Sequence, residues 1–215
     1  MSIIDLKGKF VQGMAIAGCL ALVAFIALAW FKVAPRSSET LRNLHSAYNG
    51  EANAHARYLA YADQAQHEEY YEVASLFRSA AYAEHIHLEQ LGAVIRKMGA
   101  EPESRVEAPA VKTTAENLKA SADQGEAYER DVLYPSFIAQ AEAEGNHDAA
   151  LVFKYAQTAE AQHYRLFKAA AANLRHTGVE ARSYYVCKTC GFTAEQPVEP
   201  CPGCRDPDAA YTKIY

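Results

Sequence analysis

The reading of the chain turns on Ala83-Glu84-His85-Ile86-His87, because a later stretch, Ala159-Glu160-Ala161-Gln162-His163, has the same pattern. Each contains Glu-x-x-His. Three residues apart on a helix, a carboxylate and an imidazole leave the same face and can grip one metal ion. One such pair arises by chance in helices rich in Glu and His. Two copies in helical segments of matching pattern predict a four-helix di-metal carboxylate bundle. In that architecture two helices give Glu-x-x-His and the other two give one inward glutamate each.

Working outward, the two further glutamates are present. Shifting the sequence onto itself by 76 residues superposes Tyr58 on Tyr134, Phe77 on Phe153, Glu84 on Glu160 and His87 on His163. A shift of 75 superposes Gly50-Glu51 on Gly125-Glu126. Glu129 follows Glu126 by one turn, where the first half has Ala54. Glu51, Glu84, His87, Glu126, Glu129, Glu160 and His163 are therefore the candidate ligands for two metals. Taken alone, Glu126 and Glu129 would read as solvated surface residues and His163 as a hydrogen-bonded core histidine. Their places in the repeat assign them. His45, His55, His67, His85 and His147 have no such pairing and read as structural or surface residues.

Helical signals frame these residues. Ser38 is placed to cap a helix starting at Glu39, with Leu41, Leu44, Tyr48, Glu51, Ala52, His55, Tyr58, Leu59 and Ala62 on one stripe. A second helix is expected from about Tyr70 to Met98, closed by Gly99 and Pro102. Glu101 to Thr113 is Pro- and charge-rich without periodicity, which suits a long crossover. Thr113 or Thr114 should cap a third helix that Pro135 is expected to kink. Gly145-Asn146 ends it, Asp148 is expected to cap the fourth, and Gly178 to stop that one.

The chain has 215 residues, half of them hydrophobic, so it can bury a real core and a small appendage. A formal net charge of −5 gives no basis for a nucleic-acid partner. Four of the five cysteines crowd into Cys187-x-x-Cys190 and Cys201-x-x-Cys204, a four-thiolate site for iron or zinc, not a disulfide framework. Tyr184, Tyr185, Phe192 and Tyr211 are expected to form an aromatic mini-core around it. At the other end, Phe10 to Phe31 holds no charge and is bracketed by Lys9 and Lys32. Those 22 residues are long enough to span a bilayer core as a helix. A cleaved signal peptide fits less well, because the apolar run is too long. Ile16-Ala17-Gly18-Cys19 resembles a lipoprotein cleavage box, but the strongest apolar stretch follows the cysteine.

Gly50-Glu51, Glu84-x-x-His87, Glu126-x-x-Glu129, Leu133-Tyr134-Pro135, Glu142-Ala143-Glu144-Gly145-Asn146, Glu160-x-x-His163 and the paired cysteine knuckles together resemble the rubrerythrins, over roughly residues 38 to 215. The resemblance implies an all-α ferritin-like four-helix bundle (37–178) and a rubredoxin-like four-cysteine domain (179–215), here preceded by one transmembrane helix (1–36). It implies a peroxidase that reduces hydrogen peroxide to water in oxidative-stress defence. Its cofactors would be two non-haem irons in the bundle and one iron at Cys187, Cys190, Cys201 and Cys204, with zinc the other candidate there. By the family pattern Glu84 and Glu126 bridge the irons. Glu51 with Glu129 or His87 completes one, and Glu160 with His163 the other. Tyr58 and Tyr134 would hydrogen-bond ligand carboxylates.

The implied partners are peroxide, a rubredoxin or NAD(P)H-linked reductase, a second copy in a homodimer or larger assembly, and the lipid bilayer. The expected location is the inner cell membrane, with the catalytic domain on the cytoplasmic side, where donors and free thiolates are at home. Two features depart from the family pattern. The N-terminal anchor is one; the other is a short inter-knuckle stretch followed by Arg205 where a glycine often stands. The competing readings are a ferritin-like diiron oxidase and a non-catalytic electron-transfer or accessory subunit of a membrane redox complex. The four-cysteine tail favours an enzyme with a dedicated electron supply.

Overall fold

The computed structural model describes residues 38–174 and 182–215. The expected anchor over residues 1–36, the helix stop at Gly178 and the domain boundary beside it lie outside the described residues. Among the described residues no helix is long and apolar enough to cross a membrane. Ser38–Tyr215 forms one compact unit.

Helix α1 runs Glu39–His67, and the Ser38 hydroxyl accepts from Leu41 N at 3.1 Å as its N-cap. Two further amides of that first turn, Glu39 N and Thr40 N, donate to the Glu144 carboxylate at 3.0 and 3.2 Å. Together with Gln140, Thr40 holds that carboxyl down to about 2. Leu59, placed on the inner stripe by periodicity, is exposed. It borders the apolar face instead of joining it. Helix α2 runs Tyr71–Lys97 and ends as Gly99 takes a left-handed φ of +82°. Residues 101–113 then cross the bundle without regular structure. The amides of Asn49 and Asn53 tack them to α1, with Arg105 N donating to Asn49 at 2.7 Å and Glu107 N to Asn53 at 2.9 Å.

The third bundle helix departs from the expectation of a plain helix kinked at Pro135. It begins as α3, Thr114–Ala120, with a reciprocal capping box between Thr113 and Glu116. It then widens into π-helix over Ser121–Glu126 and again over Glu129–Leu133, before α4, Tyr134–Ala143. In these stretches amides bond five residues back: Ala127 N to Ala122 O, and Tyr134 N to Glu129 O. The repeat explains the second widening. Glu51 and Tyr58 are seven residues apart, whereas Glu126 and Tyr134 are eight. One extra residue in a helix is what a π turn accommodates, and such turns concentrate at functional sites. Pro135, lacking an N–H, sits in the first turn of α4 where none is needed.

Helix α5 runs His147–Ala172. Its N-cap is Asn146, whose side chain accepts from Ala149 N at 3.0 Å, and not Asp148. Gly145, at φ +69°, ends α4 as expected, but Asn146 directly after it takes the cap, so Asp148 already lies in the first turn and faces Lys97.

Two apolar clusters fill the bundle on either side of a polar middle. One gathers Tyr58, Tyr61, Phe77, Leu118 and Phe167; the other gathers Leu44, Leu91, Ile95, Tyr134, Phe137 and Phe153. The tail is a three-stranded antiparallel sheet in the order β2-β1-β3, with β1 Tyr184–Cys187, β2 Thr193–Ala194 and β3 Tyr211–Ile214. Its aromatic core differs from expectation. Tyr184 packs into the bundle beside Phe77 and Phe167, while Tyr155 of α5 joins Phe192, Tyr211 and the cysteines. Val186 of β1 packs on Ala83 and Ile86 of α2. So small a sheet cannot bury a core alone, and it borrows one from the helices beneath it.

Candidate metal centre

Between the two apolar clusters lies a polar layer that water does not reach. Glu51, Glu84, His87, Glu126, Glu160 and His163 are each at most 1% exposed. They form two overlapping donor sets: Glu51, Glu84, His87 and Glu160 in one, and Glu84, Glu126, Glu160 and His163 in the other. Within each set, one donor atom from every residue lies within 4.8 Å of the others. The carboxylates common to both sets are Glu84 and Glu160. The family pattern makes Glu84 and Glu126 the bridging carboxylates. The structure places Glu126 in one set only and Glu160 in both.

Glu129 belongs to neither set. Half-buried, it lines a cavity of about 280 Å³ with Arg57, Tyr61, Ser121, Gln124 and Gly125. Burial and the carboxylates of Glu51, Glu126 and Glu84 hold its pKa well above the ordinary value, against Arg57. Arg57 was not singled out from the sequence, where it is one basic residue in a helix and has no counterpart motif in the repeat. Its neighbour Tyr58 and the equivalent Tyr134 make crossed hydrogen bonds between the halves of the repeat. The Tyr58 hydroxyl donates to Glu126 Oε1 and the Tyr134 hydroxyl to Glu51 Oε1.

The orientation of each donor shows that the residues fit a metal pair. Glu51 Oε2, Glu84 Oε2, His87 Nδ1, Glu126 Oε2 and Glu160 Oε1 are buried without a hydrogen-bond partner. Buried polar atoms are rarely left so unless an ion or water meets them. On Glu51 and Glu126 the unpartnered oxygen is the one the tyrosine does not hold, so each tyrosine selects the oxygen that faces inward. The imidazoles agree. His87 Nε2 lies 3.2 Å from Cys190 O, which can only accept, so Nε2 keeps its proton and Nδ1 is the nitrogen turned inward, its lone pair available to a metal once the second proton leaves. That lone pair faces Glu84 Oε2 at 3.0 Å, and His163 Nδ1 faces Glu160 Oε2 at 2.9 Å. Lone pairs facing carboxylate oxygens repel unless a proton or cation lies between them.

Proton affinities in the cage follow from the same crowding. Burial pushes Glu126 up to about 8, and Glu84 adds to it. Burial would lower His87, but the carboxylates of Glu51 and Glu84 outweigh it and push that imidazole up to about 10. Burial lowers His163 to about 3, reinforced by His87.

The cysteines form a second, separate set. Cys187, Cys190, Cys201 and Cys204 bring their sulfurs within 4.8 Å of one another, with pairs at 3.6 and 3.8 Å. Tetrahedral sulfurs about 2.3 Å from a common metal stand about 3.8 Å apart, whereas a disulfide would need about 2.05 Å. Gly191, with a left-handed φ of +74°, brings this knuckle onto the bundle. A Cβ there would meet His87 Nε2 at 2.5 Å. Arg205 after the second knuckle also has a left-handed φ, +63°, the conformation for which glycine is usual. On the opposite side Thr193, buried in β2, places its hydroxyl 3.0 Å from His163 Nε2. Nothing in its sequence context singled it out, because its partner is 30 residues away.

A family model described as Rubrerythrin matches residues 42–171. Nigerythrin of Nitratidesulfovibrio vulgaris is 36% identical over 177 residues, covering 80% of this chain and 85% of that protein. Rubrerythrin of Porphyromonas gingivalis is 32% identical over 181 residues, covering 82% and 90% respectively. A solved structure of nigerythrin in its fully reduced, all-ferrous state superposes with a TM-score of 0.73 at 33% identity, covering 85% of this chain and 91% of that one. A bacterioferritin from Desulfovibrio desulfuricans shares the fold, with a TM-score of 0.59 at 21% identity, covering 65% and 82%.

Proposed function

The chain belongs to the rubrerythrin family, and on that premise we propose that it defends against peroxide by passing electrons from its four-cysteine site to its bundle centre. It is a peroxidase-type oxidoreductase acting on hydrogen peroxide. Its cofactors are a diiron site and a rubredoxin-like four-cysteine site. The observation that carries the electron-transfer reading is the seating of one knuckle on the other centre. Cys190, a residue of the thiolate set, accepts at its carbonyl from His87 of the bundle set.

Glu51, Glu84, His87, Glu126, Glu160 and His163 would hold the diiron pair, and the four cysteines the single iron. When bound, the irons supply the two-electron reduction that turns hydrogen peroxide and two protons into two waters. The chain's own part is positional. The tyrosine hydroxyls fix two carboxylates, and the carbonyl of Cys190 fixes the His87 tautomer. The cavity lined by Arg57, Gly125 and Glu129 lies outside the polar layer, and a Cβ at Gly125 would stand 3.6 Å from the Tyr58 hydroxyl that holds Glu126. Glu129 on its wall, with its raised pKa, can carry a proton there.

A rubredoxin-type protein or an NAD(P)H-linked reductase is the proposed donor, and a homodimer or larger homo-oligomer the working assembly. The uncharged run Phe10–Phe31 is the basis for a single-pass anchor in the inner membrane with the catalytic unit in the cytoplasm. Reporter fusions at Tyr215 test this side: phosphatase activity with a silent cytoplasmic reporter would reverse it. The chemistry is tested anaerobically. Reduced, iron-loaded protein is mixed with peroxide or oxygen while the thiolate-iron absorption is followed. Reoxidation at least ~10-fold faster with peroxide is expected; equal or faster reoxidation by oxygen would favour an oxidase.

A further inference from the structure

We propose that Thr193 is a positioning residue for the metal position built around His163. Its hydroxyl closes a directed hydrogen-bond chain that no other described residue supplies. Thr193 Oγ1 lies 3.3 Å from the carbonyl of Gly191, which can only accept, and the arrangement that satisfies this carbonyl together with His163 Nε2 points the hydroxyl proton there. The lone pairs of Oγ1 are then left for His163 Nε2 at 3.0 Å, which must donate. Nδ1 is thereby stripped of its proton and aimed at Glu160 and Glu84, 2.9 and 3.5 Å away. The arrangement mirrors the one at His87, where the carbonyl of Cys190 fixes the other ring.

A plain structural role would leave this coincidence unexplained. A buried threonine in a strand needs only one partner, and the Gly191 carbonyl provides it. The His163 ring, by contrast, has no other acceptor for Nε2 among the described hydrogen bonds. The two links also differ in length. From Cys190 the route to His87 is the residue's own carbonyl and one hydrogen bond. The route to His163 continues through Gly191 and needs two hydrogen bonds, the second through Thr193. The tail is thus tied tightly to one metal position, and through one replaceable hydroxyl to the other.

The inference rests on the diiron reading, and its test is separable from peroxide activity. In the full-length protein, Thr193→Val keeps the shape and the strand preference but removes both hydrogen bonds; Thr193→Ser restores them. Loss of an outer partner to a metal-bound histidine typically weakens metal binding by ~10–100-fold. Anaerobic ferrous titration against a competing chelator should therefore show the valine variant binding its first bundle iron as the parent does. The second iron should be weakened within that range, and the serine variant should bind like the parent. The reduction potential of the more weakly coupled iron should shift in the valine variant alone. Parental affinity for both irons with unchanged potentials in Thr193→Val would overturn the proposal, as would equal weakening of both irons with loss of the tail metal. A parent that binds two irons but leaves peroxide untouched would defeat the peroxidase reading, while the affinities would still decide the role of Thr193.

Discussion

Tyr58 and Tyr134 each direct a hydroxyl proton to one oxygen of a buried carboxylate and leave the other oxygen facing inward. With that geometry the donors are not equivalent. Glu160 sits in both sets, Glu126 in one. Glu160→Ala should therefore abolish binding of both bundle metals, whereas Glu126→Ala should leave about one per chain, with the tail metal retained in both. Metal counting per chain checks this, and equal losses from the two variants would contradict the shared role of Glu160. Titration gives a second outcome. The carboxyl of Glu126 rises from 4.5 to about 8 and the imidazole of His87 from 6.5 to about 10. Both groups hold protons more tightly in the metal-free fold than in the unfolded chain. Their contribution is complete below the unfolded values and is lost as pH rises through the folded ones. The metal-free protein should thus lose thermal stability between pH 6 and 9. Metal must displace these protons to bind, so the loaded protein should lose far less. Metal added at pH 7 to a weakly buffered sample should acidify it, and no acidification would refute the protonation of the empty cage.

Between residues and molecule, the third bundle helix carries the structural novelty. The extra residue between Glu126 and Tyr134 is absorbed in the second π stretch, which lets Tyr134 reach Glu51 while Glu126 keeps its bond to Tyr58. Deleting Val132, exposed in the second π stretch, would restore the seven-residue spacing and turn everything after it by about 100° relative to Glu126. Helical content by circular dichroism should hold while at least one bundle metal is lost. Retention of two metals would show that the widening is incidental. The register change was visible in the sequence, as the move from a shift of 75 to one of 76, yet it reads there only as a slip in the repeat. Periodicity reports which face is apolar, and a π turn preserves the face. The helices, their caps at Ser38 and Thr113, and the ligand pairs were legible because each is written in spacings under five residues or in a repeat. Thr193 and Tyr155 were not, because their partners lie across a fold boundary. The docking of the tail on α2 and α5 was hidden for the same reason.

At the scale of the whole chain, the described unit contains everything the proposed chemistry uses. The donors run from Glu51 to Cys204, and the tail completes its core with Tyr155, Ala83 and Ile86 of the bundle. The two centres are therefore parts of one packed body, Ser38–Tyr215. Its first helix needs nothing upstream to start. The Ser38 hydroxyl caps it, and Glu144, from the end of the third bundle helix, takes the amides of Glu39 and Thr40. A chain beginning at Ser38 should accordingly retain two bundle metals and the tail metal, and reduce peroxide from an artificial donor within about 2-fold of the full-length rate. The candidate ligands begin at Glu51, so the shortened chain keeps all of them. If the anchor proposal holds, the full-length protein sediments with membranes and the shortened one does not. Membrane binding and catalysis would then separate cleanly in one pair of proteins. Loss of the bundle metals in the shortened chain would mean instead that residues 1–37 help to build the centre, and the anchor could no longer be treated as a tether alone.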